Sequence, residues 1–151
     1  MAEAILIDTN ILMRSTDTIS EDFLIAKRAL HVLRQRGSRL CLAPQNIIEF
    51  WAVATRRRED NGLGMSHAEV AVEVGRLRRL FQILWTTPEV FEVWLGLVTQ
   101  SQVTGKQTHD AHLVAVMQAY AISSVLTFNG AHFRRFPGIN VLDPLASSSI
   151  L

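Results

Sequence analysis

The sequence predicts an α/β fold: a central, mainly parallel sheet of about five strands with helices on its faces. Two observations carry this. Short β-like apolar runs alternate along the chain with longer helical patterns, the arrangement that builds a parallel sheet covered by helices. The first run, Ile5-Leu6-Ile7-Asp8, ends in an acid, so a carboxylate is delivered at a strand's carboxyl end, where the crevice of an open α/β sheet takes its ligands. With 151 residues, 48% of them hydrophobic, the chain has the material for one well-packed domain.

The predicted strands are Ala4 to Asp8, Arg39 to Ala43, Phe81 to Leu84, Ser124 to Phe128 and Asn140 to Leu142. Asp8-Thr9-Asn10 opens a short helix around Ile11 to Arg14. The next helix runs from about Glu21 to Arg36, with Leu24, Ala29, Leu30 and Leu33 as its apolar side and Gly37 to stop it. Pro44 stands at a natural first helical position after the second strand, and that helix continues to about Arg58. Glu59 to Met65, with Gly62 and Gly64, reads as a loop. Ser66 and Glu69 have capping-box spacing, followed by Val70, Val74, Leu77 and Phe81 on one helical face. Thr87-Pro88 opens a helix whose stripe of Phe91, Trp94, Leu95 and Val98 is expected in the core. A last helix spans about Thr108 to Tyr120. Residues 1–145 form the predicted domain, and 146–151 a Ser-rich, frayed tail.

Composition excludes several classes. The high apolar content argues against disorder. A formal charge of +1 decides nothing about a nucleic-acid partner, so local clusters of arginine must. Cys41, the single cysteine, lies in the apolar run Leu40-Cys41-Leu42-Ala43; it suits a reducing cytosol and a small core position. There is no signal-peptide pattern, and no apolar run long enough to span a bilayer. The expectation is a cytoplasmic protein with no membrane partner.

Three acids stand out. Asp8 would serve equally as a helix cap, and Asp110, in the first turn of its helix, as a charge favoured by the backbone dipole. Glu49 is the only charge in Ile47-Ile48-Glu49-Phe50-Trp51-Ala52-Val53-Ala54; such a glutamate either needs a partner or marks a narrow wet edge. A parallel sheet brings all three to one crevice. Hard oxygen ligands of this kind suit Mg²⁺ or Mn²⁺. No Cys or His spacing suggests zinc; His109 and His112 read as polar surface near the site, with contact of one of them to substrate as the alternative.

Four pieces, Ile5-Leu6-Ile7-Asp8-Thr9-Asn10, Ile48-Glu49-Phe50, His109-Asp110-Ala111-His112-Leu113-Val114-Ala115, and Val125-Leu126-Thr127-Phe128-Asn129 through His132-Phe133, together resemble the PIN-domain nucleases, above all the VapC-type toxins. The resemblance runs in order over almost the whole chain. It implies a three-layer α/β/α fold and a metal-dependent endoribonuclease. The matching acids Asp8, Glu49 and Asp110 would bind Mg²⁺ or Mn²⁺, a cognate antitoxin would cover the site, and a homodimer would form. Many members carry a further acid after the fourth strand, where this chain has Thr127-Phe128-Asn129. Asn129 offers only a carbonyl oxygen, which favours a single ion held by Asp8 and Asp110, with Glu49 acting directly or through water. Thr127 and Asn129 join the three acids in the expected catalytic set; their plainer role is to shape the turn.

Phosphodiester cleavage needs an activated water and a cation against the developing charge. Glu49 or Asp110 would orient the water. Cationic side chains must guide RNA past the carboxylates: Arg14, Arg56 within Arg56-Arg57-Arg58, and Arg134 within Arg134-Arg135, with Asn10 beside them as the remaining substrate contact. A solvated face or a helix-end charge would explain each arginine as well. Three functions compete: a toxin endoribonuclease, a free-standing PIN nuclease in RNA processing, and a catalytically weak PIN-like module that binds RNA or protein. A phospho-acceptor receiver or phosphatase is more remote, because paired acids around the first strand are missing.

Overall fold

The structure, a computed structural model, describes residues 2–146; the predicted tail lies outside them from residue 147 on. Five strands form one sheet, β1 (Ala4–Ile7), β2 (Arg39–Leu42), β3 (Gln82–Ile83), β4 (Ser124–Leu126) and β5 (Asn140–Leu142), in the order β3-β2-β1-β4-β5. Every pairing is parallel, with Leu6 opposite Cys41 on one side and Val125 on the other. The predicted "mainly parallel" sheet is therefore wholly parallel. The chain builds outward from β1 through β2 to β3, then returns to add β4 and β5 on the other side. The order thus reverses between β1 and β4, and the crevice beyond their carboxyl ends is where such a sheet binds ligands.

Alternation along β1 divides the core. Ile5 and Ile7 face a cluster with Leu30, Leu33, Leu42, Phe50 and Leu77, whereas Leu6 faces Val114, Val125, Phe133 and Phe136. The first face is covered by α1 (Thr9–Thr16), α2 (Phe23–Gln35), α3 (Pro44–Thr55) and α4 (His67–Leu80); the second by α5 (Pro88–Gln100), α6 (Gln107–Ala119) and α7 (Ala131–Arg134). This is the expected three-layer α/β/α sandwich.

Several boundaries and faces differ from expectation. The first four strands end or begin one or two residues inside their predicted spans, because the residues beyond turn at once into helices or loops. Leu24 is 75% exposed: it lies roughly 120° round α2 from Leu30, off the face that buries Ala26, Ala29 and Leu33. The α5 stripe is only partly core. Val90 is buried and Trp94 and Val98 pack on the second cluster, but Phe91 and Leu95 face outward, because α5 is apolar around more of its girth than one contact face can cover. The third helix stops at Thr55, not Arg58, and a 3₁₀ turn follows over Arg58–Asp60. Helix α7 was not expected; at four residues it is too short for periodicity to reveal. The predicted capping box is formed: Ser66 Oγ accepts from Glu69 N at 3.1 Å, and Glu69 Oε1 accepts from Ser66 N at 2.9 Å. Cys41 is buried, as expected.

Candidate active site

Asp8 follows β1 directly and is the N-cap of α1, the capping role the sequence offered. Its Oδ1 accepts from Thr9 N at 2.8 Å, and its Oδ2 accepts from Thr127 Oγ1 at 2.7 Å. The residue is buried, and its own N–H donates to Leu126 O of the neighbouring strand. Burial pushes the Asp8 carboxyl up to about 6, with the nearby Asp110 and Glu49 charges adding to it and the Thr127 and Thr9 bonds opposing it. Asn10 bridges the same corner: its Nδ2 lies 3.2 Å from Thr127 Oγ1 and its Oδ1 accepts from Phe128 N at 3.3 Å. Thr127 Oγ1 also accepts from Asn129 N at 2.9 Å. Thr127 and Asn129 thus do shape the turn after β4, and Thr127 holds Asp8 as well.

Glu49 sits in the second turn of α3. Its Oε1 accepts from Thr9 Oγ1 at 2.9 Å; Thr9 Oγ1 in turn accepts from the buried Asn46 Nδ2 at 3.1 Å, and Asn46 Oδ1 takes the Ala43 N–H at 2.9 Å. Gln45 approaches the other Glu49 oxygen at 3.4 Å. The glutamate therefore has partners, yet it is only half-buried and stands beside the exposed Ile48, so it both sits on a wet edge of α3 and is held by hydrogen bonds. Asp110, in the first turn of α6, is paired with His132 of α7, whose Nδ1 lies 3.4 Å from Asp110 Oδ2. Burial raises the Asp110 carboxyl and Glu49 adds to this, while His132 and His109 pull it down. His112 is half-buried and held below its ordinary pKa chiefly by that burial.

Asp8, Glu49 and Asp110 thus come from three distant segments to the switch point between β1 and β4, within electrostatic reach of one another. Their chemistry, hard oxygens with the Glu49 charge helping to raise both aspartates and Asp110 adding to Asp8, fits a divalent cation. Among the described residues, however, no three His, Cys, Asp or Glu side chains converge tightly enough to enclose an ion. Glu49 is drawn toward Thr9 and Gln45, and Asp110 toward His132. Mg²⁺ accepts such a partial set, because it keeps waters and commonly takes only one or two carboxylates.

The cations sort differently from expectation. Arg134 lines a hollow of about 330 Å³ with Thr127, Asn129 and His132. Arg14 instead pairs with Asp22 at 3.9 Å and opens with Asp17 onto a separate hollow between α1 and the end of α3. Arg57 pairs with Asp60 and Glu59, and Arg58 with Asp17 at 3.0 Å. Arg56 is exposed just past α3, with no side-chain ion pair among the described residues. Arg135 is structural, bonding Gln107 and the Ser101 carbonyl.

Four residues of the site were missed: Thr9, Gln45, Asn46 and His132. Gln45 and Asn46 carried a usable signal, two amides three and four residues before an isolated glutamate and so on its helical face. His132 carried none, since only the folding of α7 against α6 brings it to Asp110.

The PIN domain family model matches residues 5–139. No curated protein matches significantly. Among solved structures, VapBC2 from Rickettsia felis bound to a promoter DNA fragment superposes with a TM-score of 0.69 at 12% identity, over 93% of this chain and 98% of the other. A toxin-antitoxin complex from Klebsiella pneumoniae gives 0.64 at 18%, over 93% and 97%. VapC20 from Mycobacterium tuberculosis, a sarcin-ricin loop cleaving toxin, gives 0.59 at 20%, over 80% and 86%. At these identities the neighbours establish a shared fold. The family match spans nearly the whole described chain and both halves of the carboxylate site, and the chain belongs to the PIN-domain family.

Proposed function

We propose that this protein is a metal-dependent endoribonuclease that hydrolyses RNA phosphodiester bonds and acts as the toxin of a VapBC-type toxin–antitoxin pair. The observation that carries the reading is that Asp8, Glu49 and Asp110 come within electrostatic reach of one another beside the sheet's switch point in a PIN domain. Asp8 and Asp110 would hold Mg²⁺ or Mn²⁺, with Glu49 contributing directly or through a water. When bound, the cation supplies charge stabilisation for the cleaving phosphodiester and lowers the pKa of its water. The chain's own groups do the rest. Thr127 and the Thr9 N–H favour the ionised form of Asp8. Thr9 and Gln45 fix the Glu49 carboxylate, which orients the attacking water or takes its proton. Asn129 shapes the turn beside Asp8. Arg134, adjoining the site, attracts the RNA backbone, and Asn10 stands nearest the acids; Arg14, on its separate hollow, and Arg56 would meet only RNA that extends beyond the site.

The toxin reading draws on the fold neighbours, among them a toxin-antitoxin complex and an RNA-cleaving toxin. It implies a cytoplasmic protein with a cognate antitoxin, and a homodimer. No helix among the described residues is long and apolar enough to cross a membrane. A free-standing PIN nuclease would share the chemistry and lack the antitoxin. The neutral Asn129 favours a second reading, a catalytically weak PIN-like module binding RNA or protein.

The test is cleavage of a mixed RNA pool by purified protein with Mg²⁺, with Mn²⁺ and with chelator, beside an Asp8→Asn/Asp110→Asn double variant. Metal-dependent cutting that the double variant loses is expected. No cutting by folded, antitoxin-free protein would shift the weight to the binding module.

A further inference from the structure

Next to Glu49 lies a hollow of about 420 Å³ walled by Pro44, Gln45, Ile48, Glu49, His109 and His112. We propose that it is a subsite for one nucleobase of single-stranded RNA, with Ile48 as its apolar wall and His112 Nε2, set by Gln45, as the acceptor that reads an N–H on the base edge. The proposal rests on the nuclease reading and adds to it a binding pocket with its own chemistry.

The tautomer follows from the hydrogen bonds. Gln45 Nε2 donates to the His109 carbonyl at 3.0 Å and approaches Glu49 Oε2 at 3.4 Å. Both groups only accept, so the amide cannot be reversed and Oε1 must face His112. His112 Nδ1 lies 2.6 Å from that oxygen and must therefore be the donor. This leaves Nε2 as the ring's acceptor, and it has no protein hydrogen bond among the described residues. Ile48, on α3 one residue before Glu49, is 69% exposed. Isolated exposed apolar side chains are ordinary, but this one walls a hollow whose other end is a catalytic carboxylate. No lysine or arginine lines the hollow, so it does not suit a phosphate. A flat apolar-faced group with an N–H edge fits, and a base splayed from single-stranded RNA offers both. Because Glu49 belongs to the pocket and to the acid cluster, that base adjoins the cleaved phosphate.

The test compares binding of a fluorescein-labelled randomised RNA octamer with that of an abasic octamer, by anisotropy in Ca²⁺. The wild type is expected to bind the base-bearing strand at least about fivefold more tightly. Ile48→Ala and His112→Ala should remove most of that difference. Val72→Ala, an equally exposed truncation on α4, should preserve it. In Mg²⁺, sequencing of the cut ends should show a base preference next to the cut that His112→Ala flattens. Equal binding of the two strands by wild type, alongside normal cutting, would overturn the subsite and leave the nuclease reading intact. So would a change of oligomeric state in Ile48→Ala, which would assign Ile48 to contact with a second copy. Wild-type protein that neither binds nor cuts RNA would overturn both.

Discussion

Asp8 concentrates the conflict between stability and function in one side chain. A carboxyl whose native pKa is about 6 against an ordinary 3.8 binds its proton more tightly folded than unfolded. Its effect on stability is therefore absent below about pH 4, grows unfavourable as pH rises from about 4 to 6, and levels off above that at roughly 3 kcal/mol. Asn keeps the helix-capping ability and removes the charge. Asp8→Asn should therefore melt several degrees above wild type at pH 7.5, with the gap closing near pH 4; equal melting temperatures at both pH values would contradict the strained carboxylate. Added Mn²⁺ should raise the melting temperature of wild type but not of the variant. Thr127→Val tests the opposing bond. The Thr127 hydroxyl stabilises ionised Asp8, so its loss should raise the Asp8 pKa further and move the acid limb of the cleavage pH profile upward, with a rate loss at neutral pH of about tenfold or more. An unshifted limb would show that Thr127 acts only on the turn.

At the scale of elements, the segment after α3 shows what local pattern does and does not encode. Gly62 and Gly64 mark a loop, but their specific duty is tertiary. The loop folds back so that Leu63, Gly64 and Met65 N–H groups donate to the Val53, Arg56 and Ala54 carbonyls, closing the end of the helix that carries Glu49. This brings Gly62 so close that a Cβ would lie 2.1 Å from the Arg56 carbonyl oxygen. Gly62→Ala must displace backbone and should cost about 2–4 kcal/mol. Gly96, inside α5 with open space around it, should behave oppositely, with Gly96→Ala gaining about 1 kcal/mol. Chemical denaturation of both variants measures the contrast; a neutral Gly62→Ala would mean the loop yields without loss. The same reasoning explains what was legible. Long helices with caps, such as the one opened by Ser66 and Glu69, announce themselves through periodicity and end signals. Short α7 and the outward turn of Leu24 and Phe91 depend on which neighbours arrive.

The whole molecule decides the site. Glu49 was legible because a lone glutamate in an apolar helix demands a partner, and Asp8 because a strand ended on it. The partners themselves, Thr9 at 2.9 Å and His132 against Asp110, come together only when α1, α3, α6 and α7 pack on the sheet. The same packing leaves apolar surface over: Phe91 and Leu95, one turn apart on α5, are 56% and 44% exposed. Grouped large apolar side chains on one helix are the material of an interface between copies. With two-fold symmetry each α5 would meet its own equivalent, so one substitution acts twice. A Phe91→Lys/Leu95→Lys double variant should then convert a dimer of the wild-type protein to monomer in light scattering, without lowering the melting temperature of the isolated fold by more than a few degrees, since both positions face outward. If wild type is already monomeric at tens of micromolar, the α5 face is not a contact between copies.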